Sequence, residues 1–391
     1  MKIDTDLLVI GAGPFGLSVA AYAAHRGLNY RCVGIPMEFW RTNMPGGMFL
    51  RSACDWHLDP DGIDTIESFL TTQGLTASEV EPLSLGFYLR YVRWFVERKG
   101  IAPVPSYVRA LDGSAPDGRF QAHLQDDSVI TAANVVVAVG FRYFKHLPAE
   151  LAARVPAGRI AHTCDLVAFA PLRGKRCLIV GGRQSAFEWA ALIREAGAAE
   201  VHVCHRHDSP AFTASDWSWV GPLVAKAEDD GGWFRRLPVP QQEELRGRLW
   251  AEGRLKVEPW LAPRIGNDAI KLWPRCQIVA DRERPDGALA VTLDNGETLV
   301  VDQIIAATGY KVDITQVPFL AAGNLLGRIS IRNGFPELDE HFQTSIPGLF
   351  MTSMPAMQDF GPFWGFTIAA PVSARIIGRR LSGTDASGAE I

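Results

Sequence analysis

Apolar and polar positions along the chain fall into two patterns, and each pattern occurs twice. Asp6 to Ile10 (DLLVI) is a short unbroken apolar run, the signature of a strand covered on both faces of a parallel sheet. Glycines follow at once, Phe15 to Arg26 reads as a helix ending near Gly27, and Tyr30 to Val33 reads as the next strand. The same order returns after Arg176. A strand at Cys177 to Val180 meets a turn at Gly181-Gly182, then a helix from Ser185 to Ala196 closed near Gly197, then a strand from Glu200 to Cys204. Later in each half, Ser128 to Gly140 (SVITAANVVVAVG) and Glu297 to Gly309 (ETLVVDQIIAATG) give a strand, a polar break and a second apolar strand running into glycine. Several independent features coincide, so the chain is expected to hold two diverged copies of one α/β unit.

The copies set the expected domain organisation. Ala168 to Gly174 (AFAPLRG) reads as a crossing between them, and beyond about residue 310 the second copy is complete. Ser345 to Thr352 (SIPGLFMT) predicts a turn and a strand, and Phe366 to Leu381 a long apolar helix, most simply a return to the first unit. Residues 1–168 and 310–391 are therefore expected to form one domain, with residues 169–309 inserted into it. Trp217, Trp219, Trp233, Trp250, Trp260 and Trp273 lie between the second unit's two halves. They predict a helical, Trp-rich insertion; core packing and an aromatic substrate pocket are both open readings.

Composition narrows the setting. A formal net charge of −4 gives no broad attraction for nucleic acid or an anionic membrane. No apolar run approaches the roughly 18 residues needed to span a bilayer. The six cysteines show no CxxC spacing, which argues against a local redox dithiol or a zinc ribbon and fits a reducing cytoplasm. No metal site is expected.

The chemistry lies in the glycine turns. Gly11-Ala12-Gly13-Pro14-Phe15-Gly16 is GxGxxG set between a strand and a helix. The first glycine permits the tight turn, the second lets a pyrophosphate approach the backbone, and the third lets the helix pack close. This predicts a Rossmann-like dinucleotide site. One position departs: Gly34 ends the second strand, where a ribose-binding carboxylate is usual, and Glu38 follows in the next loop. The second turn, Gly181-Gly182-Arg183-Gln184-Ser185-Ala186, replaces the central glycine with arginine. The arginine Cβ crowds the pyrophosphate path, yet its guanidinium suits a phosphate. Beyond the next strand, His205-Arg206-His207 offers a basic residue, Arg206, where a carboxylate would select NAD; a basic residue there suits the 2′-phosphate of NADPH.

GAGPFG at Gly11 to Gly16, GGRQSAFE at Gly181 to Glu188 and AATGY at Ala306 to Tyr310 together resemble the class B flavin monooxygenases. That group includes flavin-containing monooxygenases, auxin-forming plant enzymes, Baeyer–Villiger enzymes and amine N-hydroxylases. Gly158 and His162 match the FxGxxxH fingerprint of two branches, but Pro156 and Leu166 stand at its aromatic positions, against a typical Baeyer–Villiger enzyme. Gln184 to Ala186, and the stretch from Trp40 through Met48, Leu50 and Arg51, look more like the N-hydroxylases. The resemblance implies two Rossmann-like domains, FAD in the first and NADPH in the second. It implies that reduced flavin captures O2 and that a C4a-peroxy adduct passes one oxygen atom to a small organic substrate. By similarity, Gly11, Gly13 and Gly16 hold the FAD phosphates, with Pro14, Phe15 and Gly140 in the same site. Trp40 and Arg51 border the flavin, and Val108 meets the adenine. Gly181, Gly182, Arg183, Gln184, Ser185 and Arg206 hold NADPH, with Gly309 and Tyr310 at the junction.

The loop Met44 to Pro60 supplies the catalytic candidates: Arg51 to stabilise a peroxy anion and His57 to manage its proton. A hydrogen-bonded or solvated loop histidine is the plainer reading of His57. Two other functions stand beside monooxygenation: an NADPH–flavin oxidase or reductase with another acceptor, and a non-catalytic flavin-binding protein. Oligomeric state stays open.

Overall fold

The computed structural model describes residues 2–113, 118–266 and 268–383. Its first lobe is built on β1 (Lys2–Ile10), followed by α1 (Pro14–His25) and β2 (Tyr30–Val33). β1 lies parallel to β2, with Ile10 beside Val33, and parallel to β5 (Val129–Val137), with Ile10 beside Val137. Leu7 to Ile10 are all buried, as the unbroken apolar run requires for a strand covered on both faces. β3 (Val108–Gly113), β4 (Phe120–Leu124) and the first half of β5 form an antiparallel meander, and β5 then continues into the parallel sheet.

The second lobe repeats this plan. β6 (Ile160–His162), β7 (Arg176–Val180), α2 (Gln184–Glu195) and β8 (Glu200–His205) open it. A short parallel pair, β9 (Ala211–Phe212) with β10 (Lys256–Val257), brackets a helical insertion. The lobe closes with β11 (Ile270–Pro274) beside β8, the meander β12 (Ile278–Glu283), β13 (Leu289–Leu293) and β14 (Thr298–Val301), and β15 (Gln303–Ala306) beside β7. After a small hairpin of β16 (Ile331–Arg332) and β17 (Phe335–Pro336), β18 (Leu349–Met351) returns to the first sheet alongside β5. The helix Ala369–Ser382 then packs on α1.

One expectation needs correction. β6 pairs with β15 through Ile160 and Ile304, so the second lobe begins upstream of residue 169. The Trp-rich insertion packs on both lobes: Trp260 lies against the core of the second, Trp217, Trp219 and Trp233 against that of the first. Its helix Val220–Asp229 buries Val220, Val224 and Ala227 in the core of the first lobe, against the final helix. That i, i+4, i+7 stripe is the face of an amphipathic helix, and nothing local names its partner.

The lobes are joined by two crossing strands of chain. His146 N–H donates to Gly309 O (2.9 Å), Lys311 N–H to Phe144 O (2.8 Å), and Thr308 Oγ1 to His146 O. No helix among the described residues is long and apolar enough to cross a membrane.

Candidate functional site

A largely apolar cleft opens where β1 turns into α1. Gly11, Gly13, Pro14, Phe15, Trp40, Val108 and Gly140 all line it. The three motif glycines do separate jobs. Gly11 has φ +113°, and a Cβ there would lie 2.3 Å from Ala138 O. A Cβ on Gly16 would lie 1.7 Å from Gly11 O, so this residue serves helix packing and not the cleft wall. A Cβ on Gly13 would meet no protein atom within 4 Å; it would project into open space on the cleft wall. Gly13 is also the N-cap of α1 and caps it with no side chain. The leading N–H groups of that helix are thus free for an anion, at the positive end of the helix dipole. These residues fit a dinucleotide pyrophosphate.

Gly34 explains its missing carboxylate. Its φ is +147°, and a Cβ would sit 2.8 Å from Ala12 N, so the turn itself closes that position to any side chain. Glu38 does line the cleft, but its carboxylate pairs with Arg142 (2.5 Å) and accepts from the Tyr107 hydroxyl.

The second turn reproduces the first at its leading glycine. Gly181 has φ +140°, and its Cβ would lie 2.3 Å from Ala307 O. Ala186, fully buried, replaces Gly16. The helix α2 again starts without a side-chain cap, at Arg183. Gly182 is pressed by imidazoles: its Cβ would come within 2.6 Å of His205 Cγ and 2.8 Å of His207 Cε1. Ser185 is exposed at the helix start, and Arg206 is exposed beyond β8. Gln184 departs from expectation. Its amide donates to Glu188 (3.0 Å) and accepts from the Glu258 N–H (3.1 Å), so both ends are engaged within the protein.

Gly309 and Tyr310 sit at the lobe junction. Gly309 O accepts from His162 Nε2 at 3.0 Å, while His162 Nδ1 faces the Cys164 thiol at 3.0 Å. Tyr310 packs edge-on against Phe141, with ring centroids 4.8 Å apart. His162 is therefore a structural tie between β6 and the crossing strand, and burial lowers its pKa.

The loop from residue 43 to 60 is fastened to the second lobe at three points. Asn43 donates to Cys164 O (2.8 Å), and the Phe49 N–H donates to the buried Glu188 carboxylate (3.0 Å). Arg51 donates to Glu258 Oε1 (2.8 Å), Gly253 O (2.8 Å), Glu252 O (3.3 Å) and Ser215 Oγ, and lies 5.2 Å from the Trp217 ring centre. Arg51 does not line the cleft; its donors are taken by the insertion, which corrects the expectation that it borders the flavin and stabilises an anion. His57 is likewise outside the cleft wall. Its Nδ1 accepts from the Asp59 N–H at 3.2 Å, and burial pushes its pKa down, partly opposed by Asp59. Trp56, Trp217 and Phe366 form an aromatic trio beside it, with centroids 5.6 to 6.3 Å apart. Phe366 lies between Gly365 and Thr367, which both line the cleft. Glu188 and Glu258 are site residues that the sequence did not single out: Glu188 lies in GGRQSAFE, but no local signal marks Glu258, or Trp217, as a partner of Arg51.

All six cysteines are free and buried. Burial pushes Cys32, Cys54, Cys177 and Cys204 up to about 12, and burial with Asp165 pushes Cys164 up to about 11. Such thiols stay protonated and make poor nucleophiles.

Residues 8–228, more than half of the chain, match the family described as pyridine nucleotide-disulphide oxidoreductase. The chain belongs to that family. A ferredoxin–NADP reductase of Nocardioides sp. is 30% identical over 211 residues, 53% of this chain and 56% of that protein. A ferredoxin–NADP reductase of Thermus thermophilus is 29% identical over 350 residues, 88% of this chain and 83% of that protein. Among solved structures, the Kutzneria sp. 744 ornithine N-hydroxylase, with reduced FAD, NADP+ and L-ornithine, superposes with a TM-score of 0.78 at 15% identity. It covers 97% of this chain and 99% of that one. This likeness establishes the two-lobed fold over the whole length. The family membership makes the chain an oxidoreductase that uses a pyridine nucleotide.

Proposed function

We propose that the protein is an NADPH-dependent FAD monooxygenase acting on a small organic molecule and O2. FAD fits the first cleft, where Gly11, Gly13 and the uncapped start of α1 would hold its pyrophosphate and the wall at Val108 its adenine. NADPH fits the second turn, where Gly181, Gly182, Arg183 and Ser185 would face its phosphates and Arg206 its 2′-phosphate. When bound, the flavin supplies hydride acceptance and O2 activation. The protein's own part is to orient and to exclude water.

One observation carries this reading over simple electron transfer: the 43–60 loop is strapped across both lobes. Arg51, Glu188 and Asn43 fasten it, and it brings Trp56 against Trp217 and Phe366. A strap of this kind would screen the junction from solvent, which oxygen transfer needs and a donor to a protein partner does not. The buried, protonated thiols favour neither disulfide chemistry nor a thiol relay. Six free cysteines also suit a cytoplasmic setting.

A second reading is an NADPH–flavin reductase passing electrons onward, favoured by the two relatives named ferredoxin–NADP reductase. The flavin-loaded protein is tested with NADPH and O2 against primary amines, amino acids and thioethers, with product and hydrogen peroxide both counted. Monooxygenation predicts one product per NADPH with some substrate. Quantitative peroxide with every substrate, together with rapid ferredoxin reduction, would transfer the assignment to the reductase. Arg206→Ala should weaken NADPH more than NADH; an equal loss contradicts the 2′-phosphate role.

A further inference from the structure

Arg183 takes the place in the second turn that Gly13 holds in the first, and the structure shows where its side chain goes. Its Nη1 donates to Arg254 O at 2.6 Å, and its guanidinium lies 4.7 Å from the ring centre of Trp250. Both partners belong to the insertion, where the helix Val239–Trp250 runs into a π-helical turn at Ala251–Leu255. The carbonyls at that helix end have no intrahelical partner and sit at the negative end of the dipole. Arg51 occupies those of Glu252 and Gly253, and Arg183 that of Arg254.

Only one of the five Arg183 N–H groups is used in this way among the described residues. The charged neighbours of Arg183 are Arg254 and Arg206, both cations. Arg206 is exposed and makes no ion pair among the described residues. His205, 3% exposed, presses its ring on Gly182, and its Nε2 has no hydrogen-bond partner. Arg183, at an uncapped helix start, thus has two cationic neighbours and no carboxylate acting on it, with the orphaned imidazole nitrogen of His205, on which Asp208 acts, in the same turn. An anion completes such a set.

We infer that the insertion roofs the second nucleotide site, with Trp250 and the Arg254 carbonyl positioning Arg183 as a clamp on the bridging phosphates of the dinucleotide. This rests on the NADPH reading of the second turn. The cation–π contact and the bond to the Arg254 carbonyl restrain the fork, leaving the remaining N–H groups for the phosphates that the bulk of the arginine would otherwise have excluded. The clamp acts on phosphates common to both nicotinamide nucleotides, whereas Arg206 acts on the 2′-phosphate alone.

The test is isothermal titration of the flavin-loaded protein with NADP+ and with NAD+. Arg183→Gly, which restores the residue of the first copy, should weaken both nucleotides by about tenfold, the size of one charge-assisted contact. Trp250→Ala should weaken both by a smaller factor, and the double variant should be no weaker than Arg183→Gly alone. Arg183→Lys should fall between, since it keeps charge without the fork. Flavin content and the unfolding midpoint of each variant are measured alongside. Arg183→Gly that binds as tightly as wild type while unfolding more easily would make Arg183 a helix cap and overturn the clamp. Multiplicative losses in the double variant would overturn the positioning role of Trp250. Failure of the unaltered protein to bind either nucleotide would instead remove the nicotinamide reading itself.

Discussion

Replacing Arg51 separates a structural strap from a catalytic group. The side chain is 18% exposed and its partner Glu258 8%, so Arg51→Met leaves a largely buried carboxylate without its cation. Removing one member of a buried pair costs about 3–5 kcal/mol, and the two well-placed bonds to carbonyl oxygens fall in the same variant. Partial exposure of Arg51 trims this, and a loss of about 3 kcal/mol is expected. Urea denaturation of the flavin-loaded protein reads it. Glu258→Gln in the Arg51→Met background should recover about 1–2 kcal/mol, because the uncompensated charge is gone. NADPH oxidation should persist, with more of the oxygen lost as peroxide as the 43–60 loop loosens. The reasoning fails if Arg51→Met stays within about 0.5 kcal/mol of wild type while product formation disappears; the guanidinium would then be acting on the reaction.

Three further outcomes follow from the same geometry. Burial lowers the pKa of His57 from its ordinary 6.5, so the folded protein binds fewer protons than the unfolded chain. Stability should therefore fall as pH drops below 6.5 toward the lowered value, and His57→Asn, whose amide oxygen can accept the Asp59 N–H, should flatten that slope in urea titrations at stepped pH. An unchanged slope would show that His57 is not held neutral. Gly34→Ala should cost about 1–3 kcal/mol from its positive φ alone, and the Cβ placed 2.8 Å from Ala12 N should also loosen flavin; tighter flavin binding in Gly34→Asp would disprove the steric account. Asp59 is fully buried and accepts from Lys99 Nζ (2.7 Å) and the N–H groups of Asp61, Ile63 and Asp64. Burial raises its pKa, but Lys99 and these N–H groups outweigh burial and hold it low. Asp59→Asn should cost about 2–3 kcal/mol at neutral pH, and the deficit should shrink as acid protonates the wild-type carboxylate; a deficit independent of acid would refute the charge-based account.

The sequence made some of this legible because its signals are local. An unbroken apolar run reports burial on both faces, so Leu7 to Ile10 and Cys177 to Val180 marked their strands without any tertiary knowledge. The glycine turns were legible for the same reason, since a positive φ and a close carbonyl are demands of the turn itself. β6 was missed because three residues, Ile160 to His162, are too few to show a period. A helical insertion was legible, but not the helix at Val220 to Asp229, whose stripe fits any apolar surface and faces the first lobe. Arg51 and Gln184 failed for a different reason. A guanidinium or an amide suits a cofactor and a neighbouring helix end equally, and only the fold decides which acceptor arrives.

The divergence between the two copies then has a physical sense. What they share is one backbone contact, Gly11 against Ala138 O and Gly181 against Ala307 O, each at 2.3 Å for a hypothetical Cβ. That contact sets where the helix begins and so where its free N–H groups point. The other turn positions are released from it. In the first copy Gly13 leaves the wall open, because the cleft there is lined by its own lobe. In the second copy the insertion passes over the turn, and an arginine at the same position gains two partners, Trp250 and the Arg254 carbonyl, that do not exist in the first. A residue that would obstruct one cradle is held clear in the other, so the loss of the central glycine is a consequence of the roof built above it and not a sign of a decayed site.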